Sequence, residues 1–411
     1  MNIGDRMKAI RENIKSLYNK MDKPLLFFSI LFFLFGLLSI TTASSREAVV
    51  RYDVDTYYYF FKQLIMIIIG VIVSFIVLNL KTKAYKELIP LGYIIVVILV
   101  LLIFPFGVDV NGAKNWLPIP GIGTIQPSEL AKIVIIVYTA VLFEKYYKIL
   151  RSNDKRKYEK IGTILVMVVL IPILTFLQKD LGSALIMLSI FAIMFLSSPI
   201  LRIDKLKTIV LGISVFIVGL SLLYLKQGYV LSEAQKARFS FFNPCSKYET
   251  TGYQVCNGYI AINGGGLFGV GIGKSKQKYS YIPEPHTDMI FSIIAEEYGV
   301  IGCSFIFIAY IIILFRILKI SINSYNLRNK YISLGVACYI FMHIFINLGG
   351  LFGLIPLTGV PLPFLSYGGT YAISLMTSLA IVQRIHIENE IEKNKKVSSK
   401  WQNFLDIFFI I

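Results

Sequence analysis

What most constrains this chain is where its charges are missing. Pro24–Ser45, Gln63–Leu80, Leu88–Val108, Ile161–Gln178, Leu181–Leu201, Thr208–Leu225, Tyr298–Phe315 and Tyr331–Gln383 contain no Asp, Glu, Lys or Arg. About 20 helical residues cross the hydrocarbon of a bilayer, so apolar runs of about 18 or more read as membrane spans. The last block is long, is broken by Gly349–Gly350 and by Pro356, Pro361 and Pro363, and fits two spans. Ser128–Tyr146 adds another, although it carries Glu129 and Lys132 near its start. The expectation is an all-α polytopic membrane protein of about ten transmembrane helices. Only 16% of the 411 residues are charged, against about 25% in a soluble domain. A soluble enzyme, a secreted disulfide scaffold, a DNA-binding domain and a disordered chain are thereby excluded.

The formal charge of +17 reports topology in such a chain, because Lys and Arg collect in cytoplasmic loops. With both termini in the cytoplasm, most basic residues fall on that side, densest in Lys145–Lys160. No nucleic-acid partner is implied. The first apolar segment is too long for a cleaved signal peptide, and further spans follow it. Residues 1–23 then form a basic cytoplasmic segment and 24–386 a ten-span membrane domain. Within it, 226–288 is a large outer loop between spans 7 and 8. Residues 387–411 form a cytoplasmic tail. Three outer segments, Phe106–Pro127, Lys226–Asp288 and Phe352–Tyr367, are rich in Gly, Pro or polar residues. Irregular backbone near a membrane needs protein or a water-filled cavity around it, so these three are expected to form one cleft.

Candidate chemistry concentrates on that side. Asp288 sits where the polar run from Tyr281 meets an apolar helix. It reads either as a helix N-cap or as a carboxylate poised at the membrane surface as general base or metal ligand. Gly264–Ser275 resembles a phosphate loop, but Phe268 stands where a Walker motif needs Gly. It reads as backbone that approaches a ligand or as a cluster of turns. Arg238, among aromatics, suits bidentate phosphate contact or a surface ion pair. Glu129 and Lys132 lie one turn apart in a span, where charges face a partner or a cavity. Asp180 stands at a helix start as an N-cap. Cys245 and Cys256 share the outer loop, where a disulfide is chemically allowed, while Cys303 and Cys338 lie in spans.

Taken together, the motifs resemble the SEDS family of bacterial membrane proteins (FtsW, RodA, SpoVE), from about Lys23 to Arg384. The resemblance rests on seven motifs in order: Asn111–Gly112–Ala113 with Trp116, Gln126–Lys132, Asp180–Gly182, Arg238–Pro244, Gly264–Gly273, Pro283–Asp288 and Pro361–Gly369. The last is closer to the FtsW and SpoVE branch than to RodA. Two positions depart from the family pattern: Asn115 stands where Arg is usual, beside Lys114, and Lys179 where Pro is usual.

The resemblance implies a peptidoglycan glycosyltransferase in the bacterial cytoplasmic membrane that polymerises lipid II at its outer face, for cell division or shape. The implied partner is a class B penicillin-binding protein, the transpeptidase that crosslinks the glycan. The family's essential Asp falls on Asp288, as base for the acceptor hydroxyl or as ligand of a divalent cation (Mg or Mn); no organic cofactor is expected. Arg238, Lys132 and Lys114 would contact the pyrophosphate, and Glu129 would orient Lys132. His286, Thr287, Asp180 and Ser366 complete the implied substrate site. A single inverting displacement needs one base, unlike a two-carboxylate glycosidase. A lipid II flippase and a non-catalytic scaffold of the division machinery are the competing readings. Motifs confined to one face, with no internal repeat, favour the enzyme over alternating access.

Overall fold

The computed structural model describes residues 3–110, 113–119, 123–228, 244–247, 252–279 and 282–409. After an N-terminal helix α1 (Ile3–Lys20), ten long helices traverse the molecule: α2 (Lys23–Tyr52), α3 (Tyr58–Asn79), α4 (Thr82–Phe106), α5 (Pro127–Lys145), α7 (Arg156–Leu177), α8 (Leu181–Ser197), α9 (Arg202–Gln227), α11 (Ile290–Ile322), α12 (Leu327–Leu351) and α13 (Gly369–Phe409). Each takes one of the expected spans, and Tyr331–Gln383 divides between α12 and α13. Two short helices, α6 (Tyr147–Leu150) and α10 (Tyr253–Gly265), lie in loops, with a turn of 3₁₀ helix at Pro244–Lys247. α13 runs well past its span, carrying the expected cytoplasmic tail as a continuous helix as far as Phe409.

Small residues let the central helices approach closely, as membrane packing demands. A Cβ on Gly335 of α12 would stand 2.6 Å from the Ile136 side chain of α5 and 2.9 Å from the Met194 sulfur of α8. The buried core runs through α5, α8, α11, α12 and α13, while α3 and α4 present rows of Ile, Leu, Val and Phe outward. That outward surface is what a bilayer would cover.

The cytoplasmic ends are tied by charges. Asp22 caps α2 through Leu25 N–H and also pairs with Arg316 of α11. Glu388 of α13 accepts from Thr82 N–H of α4 (2.8 Å) and from Arg384 (3.2 Å). On the outer side, the segment before α5 is not plain loop. It forms three short antiparallel strands, β1 (Val108–Val110), β2 (Ala113–Ile119) and β3 (Gly123–Ile125), in the order β1-β2-β3. Strands this short carry little alternating pattern, which is why the sequence reads only as Gly- and Pro-rich connection. Cys245 and Cys256 are joined as a disulfide, tying the 3₁₀ turn to α10. Cys303 and Cys338 are free and buried.

Candidate active site

Asp288 stands at the outer end of α11, in a run of turns over residues 282–289. The helix cap falls on Met289, and no side chain caps it. Of the two readings the sequence allows, the N-cap is therefore not the one adopted. The carboxyl is only 8% exposed, and burial pushes its pKa up to about 6. The Thr287 hydroxyl lies 3.2 Å from Asp288 Oδ1 and 2.7 Å from the Glu284 carbonyl. With one hydrogen it donates to one of them at a time. Glu284 itself has a left-handed φ of 45° between two prolines, so the turn presenting Thr287 and Asp288 is held in an unusual backbone shape.

The rest of the run is fastened from behind. Asn347 of α12 donates to the Asp288 carbonyl (2.7 Å) and to the Val360 carbonyl (2.8 Å). Ser366 donates to the Thr287 carbonyl (2.6 Å) while accepting from Leu362 N–H (2.8 Å). Tyr367 N–H donates to the His286 carbonyl (2.8 Å). His286 is buried, with Nδ1 3.3 Å from Glu47 of α2 and its ring 4.1 Å from that of Tyr59. Ser366 and His286 thus hold the turn that carries Asp288.

Asp180 is the N-cap of α8, as its position before Leu181 predicts, and accepts from Ser183 N–H (3.0 Å). Its second oxygen accepts from Asn115 of β2 and from Gln126, each at 2.9 Å. Asn115, where the family usually has Arg, fits this acceptor as a neutral donor. Lys114 donates its ammonium to the Phe104 carbonyl at the end of α4 (2.6 Å). Gln126 N–H lies 3.2 Å from the Thr370 hydroxyl of α13. The segments around Asn115, Gln126 and Asp180 are consequently in contact with one another.

Lys132 is enclosed by protein. It is 1% exposed and donates to Glu129 (2.7 Å). Its Nζ is 3.2 Å from His343 Nε2, and His343 Nδ1 is 3.2 Å from the Pro361 carbonyl. A carbonyl only accepts, so Nδ1 carries the proton and Nε2 accepts from the ammonium. Arg238 lies outside the described residues. No group of three or more His, Cys, Asp and Glu side chains suited to a metal occurs among the described residues. Asp288 offers one carboxylate, a set that suits Mg²⁺ or Mn²⁺ only with substrate phosphates as further ligands.

The glycine-rich run is a cluster of turns, the second of its two expected readings, and those turns close on the chain's own helix. Gly269 (φ 78°) and Gly299 (φ 66°) meet backbone to backbone, and α11 breaks at Gly299. Val270 N–H and Gly271 N–H donate to the Glu296 and Glu297 carbonyls (2.9 and 3.1 Å). Val300 N–H and Ile301 N–H donate back to the Gly266 and Leu267 carbonyls (3.0 and 3.2 Å). The close approach that glycine permits is made to the chain's own helix. The Glu296 carboxylate, buried beneath, accepts from Ser275 and from Lys276 N–H.

Glu47, Tyr59, Asn347 and His343 are not singled out as site residues by the sequence. The one local signal is at Glu47, a carboxylate flanked by Arg46 and Arg51 where an apolar helix ends.

The FtsW/RodA/SpoVE model, described as a cell cycle protein family, matches residues 23–391. The chain is 34% identical over 387 residues to the FtsW of Bacillus subtilis, which is named a probable peptidoglycan glycosyltransferase; 93% of this chain and 94% of that protein are covered. It is 29% identical to stage V sporulation protein E of the same organism, with 89% and 96% covered. Among solved structures, it matches a chain from work on structural coordination of polymerization and crosslinking by a peptidoglycan synthase complex. That match has a TM-score of 0.68 at 23% identity, covering 90% of this chain and 98% of the other. The rod shape determining protein RodA of Thermus thermophilus matches with a TM-score of 0.63 at 23% identity, covering 90% and 97%. The chain belongs to the FtsW/RodA/SpoVE family, the SEDS proteins, and is a multi-pass protein of the bacterial cytoplasmic membrane.

Proposed function

We propose that this chain is a peptidoglycan glycosyltransferase that extends glycan strands from lipid II at the outer face of the membrane, with Asp288 as the base. The observation that carries this reading is the state of Asp288. It is a buried carboxyl at the outer end of a span, not used as a cap, with its pKa pushed up to about 6. A base works best when its pKa lies near the working pH. In the proposed step Asp288 takes the proton of the acceptor hydroxyl. The hydroxyl oxygen bonds to the anomeric carbon of the donor, and the bond to the pyrophosphate breaks, the lipid pyrophosphate leaving with its electron pair. Thr287 sits where it can donate to Asp288, and His286, Ser366 and Asn347 hold the turn. Mg²⁺ or Mn²⁺ at Asp288 would supply charge neutralisation at the pyrophosphate. Lys114 lies in the outer segment and is a proposed pyrophosphate contact, as is Arg238. Lys132 is enclosed between Glu129 and His343, so it acts by supporting the bundle beneath the site. The names of the FtsW relatives support the reaction class, and the synthase complex that contains a chain of the same fold supports a transpeptidase partner of the class B penicillin-binding type.

The test is lipid II polymerisation in proteoliposomes, with and without such a partner carrying a dead transpeptidase site. Polymer from the wild type, and none from folded Asp288→Ala and Asp288→Asn, is expected. Equal polymer from the variants would remove Asp288 as base. Translocation of labelled lipid II without polymer from any combination would favour the flippase.

A further inference from the structure

The outer loop carries an apolar tip that the fold leaves bare. Phe268 is 80% exposed, Leu267 63% and Ile272 65%. Three such side chains close together, on a loop between a Gly-rich run and charged residues, form a patch that water does not favour. Their height relative to the bilayer follows from the helix they are tied to. Beyond its break at Gly299, α11 is free of charge from Val300 to Phe315, about 24 Å at 1.5 Å per residue, most of the hydrocarbon thickness of about 30 Å. Its inner limit is Arg316, which pairs with Asp22 among the cytoplasmic charges. Val300 and Ile301 therefore lie at the outer edge of the hydrocarbon. Those two residues donate their N–H groups to the Gly266 and Leu267 carbonyls, which places the tip at the same depth. On α11 the exposed face continues directly below through Val300, Ile301, Phe305 and Ile308, so the loop patch and the lipid-facing stripe form one surface. Beyond the tip, Lys274, Lys276 and Tyr279 are exposed. Lys and Tyr are the residues that favour the headgroup level, where an ammonium meets phosphate and a ring sits half in and half out.

We propose that Leu267, Phe268 and Ile272 form an anchor in the outer leaflet, inserted among the acyl chains, with Lys274, Lys276 and Tyr279 at the headgroups. The occupant of the patch is lipid. The glycine clasp gives the anchor its rigidity: four backbone hydrogen bonds join the tip to α11 on either side of Gly299, and the same helix begins two residues after Asp288. The anchor thus fixes the depth of the turn that carries Asp288 against the headgroup plane. The inference stands on exposure and backbone geometry, independently of the reaction assigned to Asp288.

The test uses the full chain in vesicles of phosphatidylethanolamine and phosphatidylglycerol. A Phe268→Trp variant adds one Trp to the two present, and its extra emission is obtained by difference from the wild type. Lipids brominated at successive acyl positions report its depth. The expected result is quenching greatest for bromines about 5–10 Å below the headgroups, the depth of an interfacial anchor, with weak quenching by aqueous acrylamide. Emission quenched by acrylamide and indifferent to every brominated lipid overturns the proposal. If that acrylamide quenching disappears only when a transpeptidase partner is added, the surface is a protein interface instead. Phe268→Ser, at so exposed a position, should fold normally and serves as the control that the variant series reads insertion and not misfolding.

Discussion

The Lys132 ammonium of α5 and the His343 imidazole of α12 meet inside the bundle, Nζ 3.2 Å from Nε2, with both side chains buried. Glu129 takes the other side of the ammonium and the Pro361 carbonyl takes the far nitrogen of the ring. The chain of contacts links a charged pair within a span to the outer segment that holds the turn carrying Asp288. Leucine at 343 would leave a buried ammonium donor without its acceptor, a loss of about 1–3 kcal/mol. Glutamine at 343 keeps an acceptor, and His343→Gln is expected to recover most of that loss. Removing Glu129 should be worse, about 3–5 kcal/mol, because a buried charge is left uncompensated. Thermal unfolding of the three variants in detergent checks the order: His343→Gln mildest, then His343→Leu, then Glu129→Leu.

Asp180 gathers four donors: Ser183 N–H close by, and Asn115, Gln126 and the Ser128 hydroxyl from far along the chain. Asp180→Ala removes a helix cap, about 1 kcal/mol, and strands two amides, about 1–3 kcal/mol more. Asp180→Asn keeps an oxygen for Ser183 N–H and should recover the cap's share. If Asp180 also touched substrate, Asp180→Asn would cut polymerisation far beyond its fall in thermal midpoint. A proportionate fall marks it as a positioning residue.

The spans could be read from the sequence because the absence of charge is a local property that survives any packing. The α5 span could be read despite Glu129 and Lys132 because a pair one turn apart is also local, and it closes at 2.7 Å. The cap at Asp180 follows the same rule. What the sequence did not display are links between distant segments, such as Glu47 with His286, Asn347 with the Asp288 carbonyl, and Asn115 with Asp180. No periodicity connects such residues, and each has an ordinary local reading of its own. The glycine-rich run could be read as a cluster of turns, but what those turns close on could not, for the same reason. Its purpose depends on the break at Gly299, some thirty residues on, which lies inside an apolar stretch that reads as unbroken helix.

Gly269 and Gly273 separate two costs at that clasp. Their φ angles are nearly equal, 78° and 75°. A Cβ on Gly273 meets nothing within 4 Å, whereas a Cβ on Gly269 would stand 2.2 Å from the Glu297 carbonyl oxygen. Gly273→Ala is expected to lose only the left-handed backbone penalty, about 1–2 kcal/mol. Gly269→Ala adds a backbone clash that no side chain can relieve, so it should lower the thermal midpoint much further and weaken polymerisation by shifting α11. Equal effects of the two substitutions would show that the clasp yields without consequence.

Asp288 should leave its mark on pH in two ways. As a base it must be ionised, so polymerisation is expected to fall as pH drops through about 6, the value to which burial raises it. An ordinary Asp would instead give an acid limb near about 3.9. Stability should move in the opposite sense. A carboxyl whose pKa is raised by folding favours the folded state while protonated, and that contribution is lost as pH rises between about 4 and about 6. Above that window the buried charge is a liability of up to about 3 kcal/mol, about two units at about 1.4 kcal/mol each. Asp288→Asn removes the charge and keeps the shape. Its thermal midpoint should exceed that of the wild type at pH 7.5 and approach it near pH 4.5, while polymerisation is abolished at both. A variant less stable than wild type at pH 7.5 would mean that the carboxylate is held by compensating contacts, and the acid limb near 6 would then need another owner.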